Sequence, residues 1–284
     1  TNKIQRFLDM KKSFCETIGL TNKYIVLATP LILYSLFSSV YMAASATGKI
    51  INLIIAILIF TFMTSAFIAG WFNMIKIAVT TQCKDYSNSL LKEFVPGVGE
   101  YFLPALGLVS NVFIVVLLIF ILSFLIGTKF IGDPGISAEA LSKALESAPA
   151  LKTFMASLTI EQHEKLNQWN ILLLSTMSIA YFLNILYLPA LFFKRKNPYI
   201  AFFISLKDLF SKNIFKTLGI YILIFLVNAI ISVLSALFIG NVIMHFLLTL
   251  ANFYFITLAC IGIFYYYYKT FIEPQIGQNI DMRI

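Results

Sequence analysis

The sequence predicts an all-α polytopic membrane protein with six transmembrane helices, and three observations lead there. Only 12% of the 284 residues are charged while 60% are hydrophobic, whereas soluble domains are about a quarter charged. The mean hydropathy is +0.87. Uncharged apolar runs cover roughly 24–46, 50–75, 101–127, 170–193, 217–239 and 241–268. At 1.5 Å per residue each can cross about 30 Å of hydrocarbon. None alternates apolar with polar residues, as a membrane barrel strand must.

Taken in order, residues 1–23 hold Lys3, Arg6, Asp9, Lys11, Lys12, Glu16 and Lys23. With no apolar core and no small-residue cleavage site, the segment does not read as a cleavable signal peptide but as an interfacial N-terminal helix. Helices one to three occupy 24–127, with Pro30 kinking the first. The segment "LLKEFVPGVGEYFLPALG" (90–107) carries two prolines and three glycines. It reads as a bent interfacial lead-in to helix three.

Residues 128–169 form the one sizeable extramembrane loop. "GDPG" (132–135) is a turn, Ser137 caps a short helix through Leu145, and Thr159 with Gln162 makes a capping box that starts helix four. Helices four to six occupy 170–268, with a kink at Pro189, and 269–284 is a tail. The loop reads equally as a lid, a docking surface or a solvated linker.

The stretch "FFKRKNPYIAFFISLKDLFSKN" (192–213) breaks the low-charge pattern. It holds six of the seven charged residues between Asn170 and Tyr268. Lys194, Arg195 and Lys196 anchor the end of helix four. Tyr199, Phe202, Phe203, Leu206, Leu209 and Phe210 then recur at helical spacing, with Ser205, Asp208 and Lys212 on the other face. The pattern predicts an amphipathic interfacial helix over 198–213, with Phe203, Leu206 and Phe210 in the headgroup region and Asp208 in water.

Orientation follows from the basic residues. Sixteen of the 21 Lys and Arg fall in the N-terminus, the 76–100 loop, the 194–216 loop and the C-terminus, and five in the alternate compartments. The bias places both termini in the cytoplasm of a bacterial inner membrane. The net charge of +8 is therefore a topology signal rather than a nucleic-acid footprint.

A weak internal repeat is also present. Ile4, Phe7, Met10, Lys11 and Phe14 align with Ile200, Phe203, Leu206, Lys207 and Phe210, and Gly70 and Phe72 with Gly262 and Phe264. Both units begin in the cytoplasm, which makes the repeat parallel.

Few residues carry chemistry. No Asp or Glu lies in an apolar run, which disfavours a proton-relay pump. Cys15, Cys83 and Cys260 have no metal-ligand spacing with His163 or His245, and no motif requires a metal or other cofactor. Uncharged polar groups remain at membrane depth: Asn73, Asn111, Asn184, Asn228 and Asn252, one in each of helices two to six, with His245 nearby. They read either as a polar cavity or as interhelical hydrogen bonds worth about 0.6 kcal/mol each. Gly70 and Gly262 permit close helix approach. Tyr265 to Tyr268 read as an interfacial aromatic belt.

The layout of interfacial helix, hairpin and long outer loop, followed by "NPYIAFFISLKDLFSKNIFKTLGIYIL", resembles a group of bacterial six-helix membrane proteins. The group includes the membrane domain attached to some glycerophosphodiester phosphodiesterases. The resemblance implies a helical membrane module and transfers no catalytic residue. Two functions stay open: a non-enzymatic module that binds membrane lipid, a membrane-protein partner or a second copy of itself, and a permease for a neutral or lipid-like solute. Genomic neighbours would discriminate the two.

Overall fold

The computed structural model describes residues 15–45, 50–81, 89–145, 148–238 and 240–274, and no strand occurs among them. The chain is an all-α polytopic membrane protein. Five helices are long and apolar enough to cross a membrane, or six if the bent pair Cys15–Lys23 and Ile25–Tyr41 is one span. Two compact units divide the chain: Thr1–Asn111 with Leu183–Ile284, and Val112–Phe182.

The first unit opens with α1 (Cys15–Lys23), a 3-10 turn (Ile25–Leu27) and α2 (Ala28–Ser45), bent by 73° at Tyr24. Pro30 lies in the first turn of α2, where a missing N–H is tolerated, so the bend falls ahead of it. Phe7, Met10 and the other N-terminal residues of the repeat lie outside the described residues. What is described of the N-terminal helix is tied to the far end of the chain. The Tyr265 hydroxyl donates to Glu16 at 2.5 Å and that of Tyr254 to Asn22 at 2.7 Å. Thr17 and Thr21 are buried.

Next comes α3 (Ile50–Thr80), whose Trp71 indole donates to the Leu27 carbonyl at 2.7 Å. A 3-10 turn (Leu90–Glu93) leads into α4 (Phe94–Phe130), which runs unbroken through Pro104. The expected bend in the 90–107 segment is thus confined to its first four residues. Two of its three glycines serve close packing instead. A Cβ at Gly97 would stand 2.6 Å from Asn73 Cβ, and one at Gly107 2.5 Å from Pro198 Cγ.

The helix that returns from the loop stops at Asn184, and α8 (Tyr187–Phe193) follows after a two-residue break. The break sits where the Pro189 ring would clash with the carbonyl four residues earlier, which realises the expected kink. Asn197 caps α9 (Pro198–Leu209), accepting from the Ile200 N–H at 3.2 Å. Proline at the first helical position is preset for it. The unit ends with the hairpin α10 (Ile214–Leu237) and α11 (Val242–Tyr267) and a π-helical turn (Tyr268–Ile272).

Its core lies at the end that holds the basic residues. Phe72 stacks on Phe264 at 5.3 Å, and Phe192 stands 6.1 Å from Phe72 and 6.0 Å from Phe264. Gly70 lies against the Phe94 ring and Gly262 against Thr17.

The repeat-related residues Phe72 and Phe264 therefore touch, yet the repeat is not kept element by element. The first repeat bends at Tyr24, while the second repeat breaks between Leu209 and Ile214.

In the second unit the loop is as local signals direct. Gly132 and Gly135 take φ of 78° and 68°, and the Gly135 N–H donates to Asp133 at 2.8 Å. Ser137 accepts from the Ala140 N–H to cap α5 (Ala138–Leu145). Thr159 and Gln162 exchange reciprocal bonds of 3.0 and 3.3 Å at the start of α7 (Ile160–Asn184). Between them lies α6 (Ala148–Ser157), which sequence analysis did not anticipate. Trp169 packs over Gly127 and donates to the Gly132 carbonyl at 3.1 Å.

Candidate functional site

The charged stretch behaves differently from the sequence expectation. Its apolar residues Tyr199, Phe203 and Phe210 are exposed, but Ser205 and Asp208 are buried rather than in water. The helix also stops at Leu209, itself fully buried. A carboxylate so placed needs counter-charge and hydrogen bonds, and Asp208 has both. Lys194 Nζ reaches its two oxygens at 2.8 and 3.1 Å, and the Tyr267 hydroxyl donates to it at 2.5 Å. The Lys194 ammonium also lies 5.5 Å from the Tyr267 ring centre and 5.4 Å from that of Phe271. Lys194 is therefore a structural ion-pair partner rather than a free membrane anchor.

Its neighbours line an open cleft. Lys76 from α3, Glu100 and Tyr101 from α4, and Leu191 to Lys196 from α8 and its exit enclose about 210 Å³. Gly97 and Gly107 bracket Glu100 and Tyr101, so the two close helix contacts hold both side chains in place. Tyr101 forms the floor, stacked on Phe192 at 4.3 Å. It accepts a hydrogen bond from Lys76 Nζ at 2.8 Å. Lys196 pairs with Glu100 at 2.9 Å and lies 5.4 Å from the Tyr101 ring centre.

Four cations thus meet one carboxylate in the lining, with Asp208 behind Lys194. Arg195 is exposed and no described carboxylate pairs with it. Lys76 is held by a phenol, not by a carboxylate. Neither Lys76 nor Arg195 therefore has an ion-pair partner among the described residues, although the Glu100 carboxylate is near enough to act on the Lys76 charge. The volume is below the roughly 300–1,000 Å³ usual for small-molecule pockets.

Compared with family models, characterised proteins and solved structures, the chain shows no significant match. The site therefore stands on its own geometry.

The polar residues singled out at membrane depth do not converge. Asn73 donates to the Glu93 carbonyl at 3.1 Å and fixes α3 to the lead-in of α4. Asn111 donates to the Tyr187 hydroxyl at 3.0 Å, which in turn donates to the Pro198 carbonyl at 2.9 Å. These two act as helix connectors. Asn184 is the last residue of α7. Asn228 and His245 are exposed, and Asn252 is half-buried on α11.

Two roles escaped sequence analysis. Tyr265, Tyr266 and Tyr267 are not a simple belt: each hydroxyl joins a different element, at Glu16, Thr217 and Asp208. Successive residues point about 100° apart around a helix, so three in a row reach α1, α10 and α9. Glu100 and Tyr101 were missed because an acid beside a span end looks like an ordinary boundary residue.

Proposed function

We propose that the protein is a non-enzymatic membrane module that binds an acidic phospholipid headgroup in the cleft of Lys76, Arg195 and Lys196. The supporting observation is the pair of cations, Arg195 and Lys76, that form no ion pair among the described residues, beside an aromatic floor. A guanidinium offers forked donors that match a phosphate, and basic pockets between spans on the cytoplasmic side suit anionic headgroups. The exposed rings of Tyr199, Phe203 and Phe210 would lie among lipid beside it, with Leu206 half-buried on the same helix. Both described carboxylates near the site, Glu100 and Asp208, are ion-paired, which agrees with a binding role.

The orientation belongs to the same proposal: the basic end faces the cytoplasm of a bacterial inner membrane, with both termini there. A cysteine placed at Ser142 then labels from outside intact cells and one at Ser211 does not; the reverse pattern removes the orientation. The resemblance to phosphodiesterase-linked membrane domains agrees with a lipid-handling module but does not carry the proposal.

For the lipid itself, detergent-purified protein is melted with phosphatidylglycerol or phosphatidylethanolamine. Selective stabilisation by phosphatidylglycerol, lost in the Lys76→Gln/Arg195→Gln double variant, is expected. Equal stabilisation by both lipids, or an unchanged response in the variant, removes the proposal.

A further inference from the structure

The α10–α11 hairpin carries uncharged polar residues at matched depth. Asn228, Ser232 and Ser235 recur at i, i+4 and i+7 on α10, and His245, Thr249 and Asn252 at the same spacing on α11. Residues so spaced share one face of a helix. Asn228 lies nine residues before Leu237 and Asn252 ten residues after Val242, the ends facing the turn. Each amide is therefore about 14 Å from the turn at 1.5 Å per residue, near mid-span. Ser235 and His245 match likewise at its shallow end.

The Thr249 hydroxyl donates to the His245 carbonyl at 2.8 Å, but the amides are not absorbed by the fold. Asn228, Ser232, His245 and Thr249 are exposed. Neither the Asn228 nor the Asn252 amide has a hydrogen-bond partner among the described residues. Lipid hydrocarbon supplies none, so an amide at this depth is stabilised by any neighbour that carries both donors and acceptors.

We infer that the chain forms a two-fold symmetric dimer in the membrane through this seam, with Asn228 and Asn252 of one copy bonding the amides of the other. Copies inserted in the same orientation place equal depths opposite each other, so each amide meets an amide. An amide is its own complement, which is what an isologous interface requires. A partner recognised through charge would meet no counter-ion here, since none of the six residues is an acid, a lysine or an arginine. The lipid cleft lies at the other end of α11, so the two sites are independent.

Disulfide trapping in native membranes tests this. With Cys15, Cys83 and Cys260 replaced by serine, Ser232→Cys under mild oxidation should give a product of twice the monomer mass, containing this chain alone. Ile230→Cys, on the opposite and equally exposed face, should stay monomeric. Adding Asn228→Leu and Asn252→Leu to the Ser232→Cys chain should lower the yield about tenfold, and Asn228→Gln should retain it. Equal trapping on both faces, no trapping at position 232, or a product joined to another protein would each overturn the dimer. The two-face comparison stands even if the double leucine variant does not accumulate.

Discussion

The two ends of the first unit are built from the same helices but by different means. At the basic end α11 buries Ile261, Phe264, Tyr265 and Tyr267, and α3 buries Trp71, Phe72, Met74 and Ile75. At the opposite end α11 exposes Val242, Ile243, Phe246 and Leu247, and α3 exposes Ile54, Ile55, Ile57 and Leu58. In a bilayer apolar side chains gain nothing by leaving lipid for one another. The opposite end can therefore leave its apolar groups to hydrocarbon. In the proposed placement the basic end meets water and headgroups, and there the chain packs as a soluble core does, with buried aromatics and a hydrogen-bonded, ion-paired buried carboxylate. The cleft lies where the packing is of that second kind.

The largest expected effect is a test of that contrast. Asp208→Ala leaves the Lys194 ammonium nearly buried without its counter-charge and the Tyr267 hydroxyl without its acceptor. Removing one member of such a pair costs on the order of 3 kcal/mol, seen as a lower melting temperature in detergent. At the opposite end, Phe246→Ala should change stability by less than about 0.5 kcal/mol. Comparable losses in the two variants would erase the difference between the ends.

An intermediate effect sharpens how the site is held. Gly107→Leu drives a side chain into Pro198 and should cost about 1–3 kcal/mol, with loss of phosphatidylglycerol-selective stabilisation as α9 shifts from α4. Full retention of lipid selectivity at lowered stability would separate the cleft from that contact.

The smallest effect concerns a single polar connector. Trp71→Phe keeps an aromatic ring but loses the bond to the Leu27 carbonyl and part of the buried indole, a cost of about 1–2 kcal/mol in the same melting assay. No change would mean that the bend at Tyr24 is held by packing alone.

What the sequence made legible was local or periodic. The apolar runs gave the spans, the Thr159–Gln162 box marked a helix start, and Pro189 marked a break, because each signal acts within a few residues. The cluster at 194–196 falls in the lining of the cleft. Asp208 was assigned to water because helical periodicity separates polar from apolar faces without saying which one meets protein. Its partners lie 14 and 59 residues away, a distance no local pattern encodes. Lys76 and Glu100 reach the cleft from two other helices for the same reason. The tyrosine run misled because a row of tyrosines at a span end is the composition of an interfacial belt, and only the partners of the hydroxyls reveal a hub.

The central claim, that an acidic headgroup occupies the cleft at the basic end, is tested most directly by photolabelling with a phosphatidylglycerol analogue reactive at its headgroup. The protein is reconstituted in bilayers and the labelled peptides are mapped by mass spectrometry. Labelling concentrated on residues 191–196 and on α3 near Lys76, competed by excess phosphatidylglycerol but not by phosphatidylethanolamine, is the predicted result. Labelling spread evenly over both ends of the helices, or displaced equally by both lipids, would contradict it.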